Sequence, residues 1–266
     1  MIPVILLCVL VLLALYLLAP GRASEENKAR FAGYYAHRGL HTPDRAVPEN
    51  SPEAFRRAAA AGWGVELDVR LTADGQVVVF HDDTLDRVCG VPGRVDGLTW
   101  EELQAFPLCG TGERIPLFSD VLALITDRTP LIVELKTGPR NRELCEKTCA
   151  LMRTRRGPTC MESFDPTIVA WFRRHGREFF RGQLATGRAD YRSDGRPAPL
   201  AVFLSHTLLN FLGRPQFIAY RVGSRPLTVR LAEALGAMRV GWVARSPADE
   251  AGLDAVIFEF YEPDRA

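Results

Sequence analysis

Two acids lie two positions apart in a short apolar segment of the chain. Glu66 and Asp68 alternate with Val65, Leu67 and Val69, and successive side chains of a β-strand point to opposite faces. On a strand, the two carboxylates therefore share one face while the three aliphatic side chains face a core. Carboxylates enclosed together repel each other unless a cation or a proton lies between them. The alternative is an edge hairpin whose charges face water.

Further polar side chains occupy the ends of other predicted strands. In an α/β barrel, the carboxyl ends of all strands meet at one face, and the reactive groups lie there. Five strand ends would then bring together His37 and Arg38, Glu66 and Asp68, His81 and Asp82, Glu134 and Lys136, and Glu162 and Ser163.

This set of side chains suits phosphoryl chemistry. Glu66, Asp68 and Glu134 offer oxygen ligands alone, which selects a hard divalent ion, Mg²⁺ or Ca²⁺, over zinc. Arg38 and Lys136 would supply the fixed positive charge that a phosphoryl group needs. Each of these two cations could instead form a structural ion pair, Lys136 with Glu134 and Arg38 with Glu66 or Asp82.

Two histidines complete the set. The imidazole groups of His37 and His81 have ordinary pKa values near neutrality, which suits them to proton transfer. One would deprotonate a nucleophile and the other would protonate the leaving oxygen, while the cation and the basic side chains stabilise the charge on the phosphoryl oxygens. The residues alone therefore indicate a metal-dependent phosphodiesterase.

Strands and helices alternate along most of the chain, which predicts a parallel sheet, most simply closed as a TIM (β/α)8 barrel. Nine strands are predicted, one more than the barrel needs, so either Gln76–His81 or Phe217–Val222 lies outside it. Residues 31–266 form the predicted barrel domain, close to the length of about 250 residues typical of this fold. Residues 83–116, rich in Gly and Pro, form a predicted insertion after the third strand.

The first residues of the chain differ in composition from the predicted barrel domain. Ile2 to Ala19 is almost wholly apolar and uncharged, which predicts a transmembrane anchor over residues 1–21, followed by a polar linker over residues 22–30. A cleaved signal peptide is the alternative. Arg22, Lys28 and Arg30 follow the apolar segment, so the positive-inside rule predicts a single-pass protein with its catalytic domain in the cytoplasm. A net charge of +1 argues against a nucleic-acid partner.

At its polar positions the sequence resembles the glycerophosphodiester phosphodiesterase family. The order and spacing of nine short segments carry the resemblance: Ala36-His37-Arg38-Gly39, Pro48-Glu49-Asn50-Ser51, Ala54-Phe55, Glu66-Leu67-Asp68-Val69, Thr72-Ala73-Asp74-Gly75, Val79-Phe80-His81-Asp82, Ile115-Pro116-Leu117, Glu134-Leu135-Lys136 and Ser163-Phe164.

The resemblance implies a TIM barrel that hydrolyses glycerophosphodiesters to sn-glycerol 3-phosphate and an alcohol. It implies that one divalent cation is bound by the three acids, that the two histidines are the acid–base pair, and that Arg38 and Lys136 contact the phosphate, with Glu49 near the site. Two segments depart from the family pattern: Trp242-Val243-Ala244-Arg245 replaces its Trp-Thr-Val-Asn run, and Phe258-Glu259 replaces its terminal Thr-Asp. We place both on the substrate side, where Trp242 is either a lining residue of the pocket or plain core.

Two rival functions stay open at this stage. An anchor would hold the barrel mouth near lipid, so the substrate could be a lysophospholipid cleaved at its head group. A barrel without activity could instead serve as a membrane-tethered binding module.

Overall fold

Eight parallel strands close into a barrel in the computed structural model of the chain, which describes residues 2–264. Strand β1 pairs with both β2 and β9, which completes the ring of a TIM barrel. All nine predicted strands are found. They are β1 (Gly33–Ala36), β2 (Gly64–Leu71), β3 (Val77–Val79), β4 (Leu131–Leu135), β5 (Thr159–Ser163), β6 (Phe180–Ala185), β7 (Phe217–Arg221), β8 (Met238–Ala244) and β9 (Ala255–Phe258).

The ninth strand is β3, which lies outside the barrel and runs antiparallel to β2. The ladder between β1 and β2 covers Gly64 and Val65, so the later part of the same edge of β2 can pair with β3, from Val69 to Leu71. Of the two candidates for the extra strand, Gln76–His81 is therefore the correct one, and Phe217–Val222 belongs to the barrel.

Helices cover the outside of the barrel. Capping residues mark where several helices begin. At the start of the helix over Pro52–Ala60, Ser51 Oγ accepts a hydrogen bond from the amide of Ala54 at 3.2 Å, and Pro52 lies in the first turn. The α-helices are α1 (Ile2–Leu18), α2 (Glu25–Phe31), α3 (Pro52–Ala60), α4 (Asp86–Cys89), α5 (Trp100–Leu103), α6 (Phe118–Leu124), α7 (Asn141–Met152), α8 (Pro166–His175), α9 (Arg188–Ser193), α10 (Ala198–Ser205), α11 (Asn210–Gly213) and α12 (Leu227–Ala234).

The barrel interior is apolar at the amino-terminal end of the strands. Phe31 ends α2 and stacks on Phe180 with 5.1 Å between ring centroids, and Phe180 stacks on Phe217 at 5.5 Å. The hydroxyl of Tyr35 donates to the carbonyl oxygen of Phe31 at 3.0 Å. Helix α2 therefore closes this end of the barrel. The predicted linker over residues 22–30 is largely helical, because α2 covers Glu25–Phe31.

The segment predicted as an insertion, residues 83–116, contains α4, α5 and two 3₁₀ turns, Val95–Gly97 and Leu108–Gly110. It forms a small core of its own against two residues from β3 and its end. Within this insertion core the buried side chains are Val78, Phe80, Leu85, Val88, Val95, Leu103, Leu108 and Ile115. The insertion is thus packed onto β3 as a fixed part of the fold.

The predicted anchor is wrong. Helix α1 has 17 residues, which at 1.5 Å per residue gives about 25 Å, against about 30 Å of hydrocarbon to cross. Among residues 2–264, no helix combines the length and the apolar character that a membrane span requires. The carboxyl end of α1 instead lies against the barrel, where Asn210 Nδ2 donates to the carbonyl oxygen of Leu18 at 3.2 Å. The predictions of a membrane localisation and of a cytoplasmic catalytic domain depended on this anchor and are wrong with it.

We expect Phe31→Ala to lower the free energy of unfolding by about 3–5 kcal/mol, because it empties a buried, ring-stacked position at the closed end of the barrel. Urea unfolding followed by circular dichroism measures the loss. The control is Leu227→Ala on α12, where the side chain is 67% exposed and the change should stay within about 0.5 kcal/mol. Equal losses in both variants would show that α2 does not close the barrel.

Candidate active site

A cleft of about 880 Å³ opens at the carboxyl ends of the barrel strands. Its position follows from the topology, because all eight barrel strands are parallel and end at this face. Asp68 lies beneath the cleft among the acids described below. The other predicted site residues line it: His37, Arg38, Glu49, Glu66, His81, Glu134, Lys136 and Trp242.

Three acids converge at the floor of the cleft. Glu66 and Asp68 point into the barrel from β2, whereas Val65, Leu67 and Val69 pack in the outer core. Glu134 on β4 is in register with Asp68. One carboxylate oxygen from each of the three acids lies within 4.8 Å of the other two, and all three side chains are buried. The alternative of a solvated edge hairpin is therefore excluded.

The electrostatics of these acids fit a bound cation. Burial, with Asp68 and Glu134 close by, raises the pKa of Glu66 well above its usual range. Glu66 Oε1 is buried and has no hydrogen-bond partner within residues 2–264. The same holds for Oε2 of Glu162, a fourth buried acid on β5 beside Glu134. Unpaired carboxylate oxygens of this kind are suitable ligands for Mg²⁺ or Ca²⁺.

Lys136 follows β4 and sits between two of the acids. Its Nζ lies 2.7 Å from Glu134 Oε1 and 3.0 Å from Asp68 Oδ1. Burial raises the pKa of Asp68, but Lys136, His81 and Arg38 outweigh it and hold that pKa well below its usual range. The predicted pairing of Lys136 with Glu134 is thus present, and it leaves the ammonium group at the cleft.

Arg38 begins the loop after β1 with a left-handed backbone, φ 54°. Its amide donates to Glu66 Oε2 at 3.0 Å, its Nε lies 3.4 Å from Asp68 Oδ2, and its Nη1 donates to Glu49 Oε1 at 2.7 Å. The guanidinium is therefore held between Asp68 and Glu49, whereas Glu66 is contacted by the backbone amide. Asn50, also left-handed at φ 55°, donates from Nδ2 to Asp68 Oδ2 at 2.8 Å.

His37 is buried at the end of β1, and its ring is held through Nδ1. Glu259 Oε2, just beyond β9, lies 2.8 Å from His37 Nδ1, while His37 Nε2 faces the acids at 4.0 Å from Glu66 Oε2. Burial is the largest influence on the ring and lowers the pKa of His37. Glu259 also accepts from the guanidinium of Arg245 at 2.5 Å. Glu259 thus orients the imidazole, a role that the sequence did not reveal.

The ring of His81, which also lines the cleft, is held through Nδ1 in the same way. Asp82 Oδ1 lies 2.5 Å from His81 Nδ1, and Arg70 Nε donates to the His81 carbonyl oxygen at 2.8 Å. Burial, followed by the charge of Lys136, lowers the pKa of His81 to about 4. Both histidines therefore have a carboxylate at Nδ1, and the Nε2 atom of each ring is not part of that contact.

Trp242 forms part of an aromatic wall of the cleft. Its indole Nε1 donates to the carbonyl oxygen of Ala185 at 3.0 Å. Phe164 meets Trp242 edge-on with 5.6 Å between ring centroids and meets Tyr191 at 6.2 Å. Trp242 is therefore both a core residue and a lining residue, because it packs against the barrel interior and also lines the cleft.

Buried acids, two histidines held by carboxylates and two cations thus lie together at the carboxyl face of a TIM barrel. A model of the glycerophosphoryl diester phosphodiesterase family matches residues 37–262. The chain therefore belongs to this family.

Individual relatives carry names of the same family. A glycerophosphodiester phosphodiesterase of Caldanaerobacter subterraneus subsp. tengcongensis is 43% identical over 111 residues, which cover 39% of this chain and 44% of the relative. The human glycerophosphodiester phosphodiesterase 1 is 44% identical over 70 residues, covering 26% of this chain and 20% of that protein. The matched regions thus span less than half the length of these relatives.

Two solved structures share the architecture. A phosphodiesterase of Oleispira antarctica, solved in complex with the product sn-glycerol-3-phosphate, has a TM-score of 0.71 at 22% identity, covering 87% of this chain and 94% of that chain. A glycerophosphodiester phosphodiesterase of Thermotoga maritima has a TM-score of 0.64 at 24% identity, covering 85% and 93%. At these identities the likeness concerns the fold.

The buried acids predict a pH dependence of stability. Burial is the main cause that raises the pKa of Glu134 to about 7, so the folded protein holds this proton at pH values where the unfolded chain has released it. Stability of the protein kept in EDTA should therefore fall as pH rises from about 4.5 to 7, by on the order of 3 kcal/mol from this group. Glu134→Gln should remove that part of the slope.

Urea unfolding between pH 5 and pH 8 measures this difference. Glu146→Gln on the exposed face of α7 is the matched control and should keep the wild-type slope. A Glu134→Gln protein with the full wild-type slope would contradict the assignment.

Proposed function

We propose that the protein hydrolyses glycerophosphodiesters to sn-glycerol 3-phosphate and an alcohol. One observation carries the proposal: two imidazoles, each with a carboxylate on its Nδ1, line the same cleft as a buried set of acids. A negatively charged diester placed between them would meet an acid–base pair and two fixed cations. Membership of the family and the names of the relatives support the same reaction, and the Oleispira protein binds its product sn-glycerol-3-phosphate.

In this proposal, Glu66, Asp68 and Glu134 hold one divalent cation, Mg²⁺ or Ca²⁺. The bound cation would supply positive charge beside the phosphoryl oxygens, as hard divalent ions do in phosphoryl transfer. The support is the oxygen-only donor set and the unpaired, buried Oε1 of Glu66 within the described chain. Lys136 offsets part of the negative charge of these acids and leaves room for a divalent ion to offset the rest.

The histidines move the protons. One of His37 and His81 accepts the proton of the nucleophile at Nε2, and the other donates a proton from Nε2 to the leaving alcohol oxygen. Glu259 and Asp82 fix the two rings and stabilise the imidazolium when it forms. Burial lowers the pKa of both rings and so disfavours the protonated form that the acid needs. The negative charge of a bound phosphate would counter this effect and help the acid to hold its proton.

The remaining groups bind and orient the substrate. Arg38 and Lys136 contact the phosphoryl oxygens, and Glu49 holds the Arg38 guanidinium in place. Trp242, in the aromatic wall, packs against the organic part of the diester.

We expect Mg²⁺ or Ca²⁺ to stabilise protein that has first been stripped with EDTA. At about 100 times its dissociation constant, the bound cation should add about 2.7 kcal/mol to the free energy of unfolding. Asp68→Asn should lose most of this gain because a buried ligand is removed. Thermal unfolding with and without the cation measures it, and Asp96→Asn in the insertion serves as the control. An undiminished gain in Asp68→Asn would place the cation elsewhere.

We expect His37→Ala and His81→Ala each to lower kcat by about 10²–10⁴-fold while the fold survives, because a positioned acid or base contributes about that much. Alcohol release from glycerophosphocholine, glycerophosphoethanolamine and lysophosphatidylcholine, with and without metal, measures the rates. His175→Ala, exposed at the end of α8, should keep full activity. Full activity in either active-site variant, or cleavage of lysophosphatidylcholine alone, would overturn the proposal.

A further inference from the structure

One arginine of the insertion binds two carboxylates at the rim of the cleft. The guanidinium of Arg87, on α4, donates from Nε and Nη2 to Asp82 at 2.7 and 2.9 Å. It also donates from Nη1 and Nη2 to Glu49 at 2.7 Å each. Such two-point contacts fix the orientation of both partners as well as their distance.

Each of these carboxylates in turn holds a group that the proposed reaction uses. Asp82 Oδ1 lies 2.5 Å from His81 Nδ1. Glu49 Oε1 accepts from Arg38 Nη1 at 2.7 Å. Arg87 therefore stands one residue away from an acid–base imidazole on one side and from a phosphate-binding guanidinium on the other.

The backbone that carries Arg87 is fixed by packing. Leu85 is fully buried and Val88 is 3% exposed, both in the insertion core. Gly90 ends α4 in the left-handed region at φ 71°. With its neighbours held in this way, α4 has little freedom to shift, and the Arg87 side chain extends from a rigid base.

The contacts of Arg87 are ion pairs that are partly open to solvent. The Arg87 side chain is 41% exposed, whereas those of Asp82 and Glu49 are 19% and 14% exposed. Burial raises the pKa of Glu49, but Arg87 and Arg38 outweigh it and bring that pKa to about 2. Without Arg87, two charged carboxylates would face each other near the cleft with one cation fewer between them.

We propose that Arg87 is a positioning residue through which the insertion aligns the active site: its guanidinium sets His81 through Asp82 and Arg38 through Glu49. The inference rests on the proposed function, in which His81 transfers a proton and Arg38 binds the phosphate. It gives the insertion a task in the reaction without any contact between Arg87 and the substrate.

The two arms of the contact predict different kinetic effects, which a merely structural role would not separate. Asp82→Asn should lower kcat because His81 loses its orientation, and Glu49→Gln should raise KM because Arg38 is released. Arg87→Gln should do both, with kcat/KM lower by about 10–100-fold, the usual effect of losing a residue that orients an active-site ligand. Arg87→Gln/Asp82→Asn should lower kcat no further than Asp82→Asn alone, since both remove one linkage.

The experiment is steady-state hydrolysis of glycerophosphocholine by this set of full-length variants. Arg94→Gln is the matched control, because Arg94 forms a two-point contact to Asp96 in the same insertion and should leave kcat and KM unchanged. Arg87→Lys should recover little, since an ammonium group cannot make the same pairs of contacts. Millimolar guanidinium should restore part of the activity of Arg87→Ala, because the position is open to solvent.

Two outcomes would overturn the inference while the proposed function stands: Arg87→Gln with wild-type kcat and KM, or additive losses in Arg87→Gln/Asp82→Asn. If the wild type cleaves none of the diesters, the proposed function fails instead, and the alignment of His81 is then measured directly. The imidazole ¹⁵N shifts of His81 should change in Arg87→Gln and stay constant in Arg94→Gln. Unchanged shifts in both would refute the alignment.

Discussion

Mutual repulsion among buried carboxylates is the constraint on which this structure depends. Strands β2 and β4 place Glu66, Asp68 and Glu134 side by side inside a barrel, in a register that pairs Asp68 with Glu134. Isolated charges are not tolerated in such a place. Lys136 and Arg38 offset part of the negative charge, and Asn50 donates a hydrogen bond from its neutral amide to Asp68. The buried Oε1 of Glu66, which has no hydrogen-bond partner in the described chain, supports the cation site that we propose.

The barrel tolerates this polar end because its other end is dry and closed. Phe31, Phe180 and Phe217 stack at the amino-terminal end, where α2 covers the opening. Apolar burial there stabilises the closed sheet, so the strands hold their register at the carboxyl end although the acids there oppose it. The cleft that leads to the acids opens at the face where the loops after the strands lie.

Local patterns predicted the parts of the site that local geometry sets. The two-residue period of β2 fixed which side Glu66 and Asp68 face, and strand-end positions found both histidines and Lys136. Glu259 was missed as the partner of His37 because 222 positions separate them along the chain, and no periodic pattern carries such a contact. The anchor failed for another reason: hydropathy measures apolar character, whereas the length of α1 and its contact with Asn210 depend on the folded chain.

In the role that we propose for Arg87, the insertion supports the side chains at the carboxyl face of the barrel. A loop can position a catalytic group only if it has a rigid base, and the insertion acquires one by burying its own apolar core against β3. From that base, Arg87 reaches the carboxylates beside His81 and Arg38. The contacts then run unbroken from Arg87 through Glu49 and Arg38 to Asp68. The rigid packing of the insertion core therefore supports the geometry of the charged side chains in the cleft.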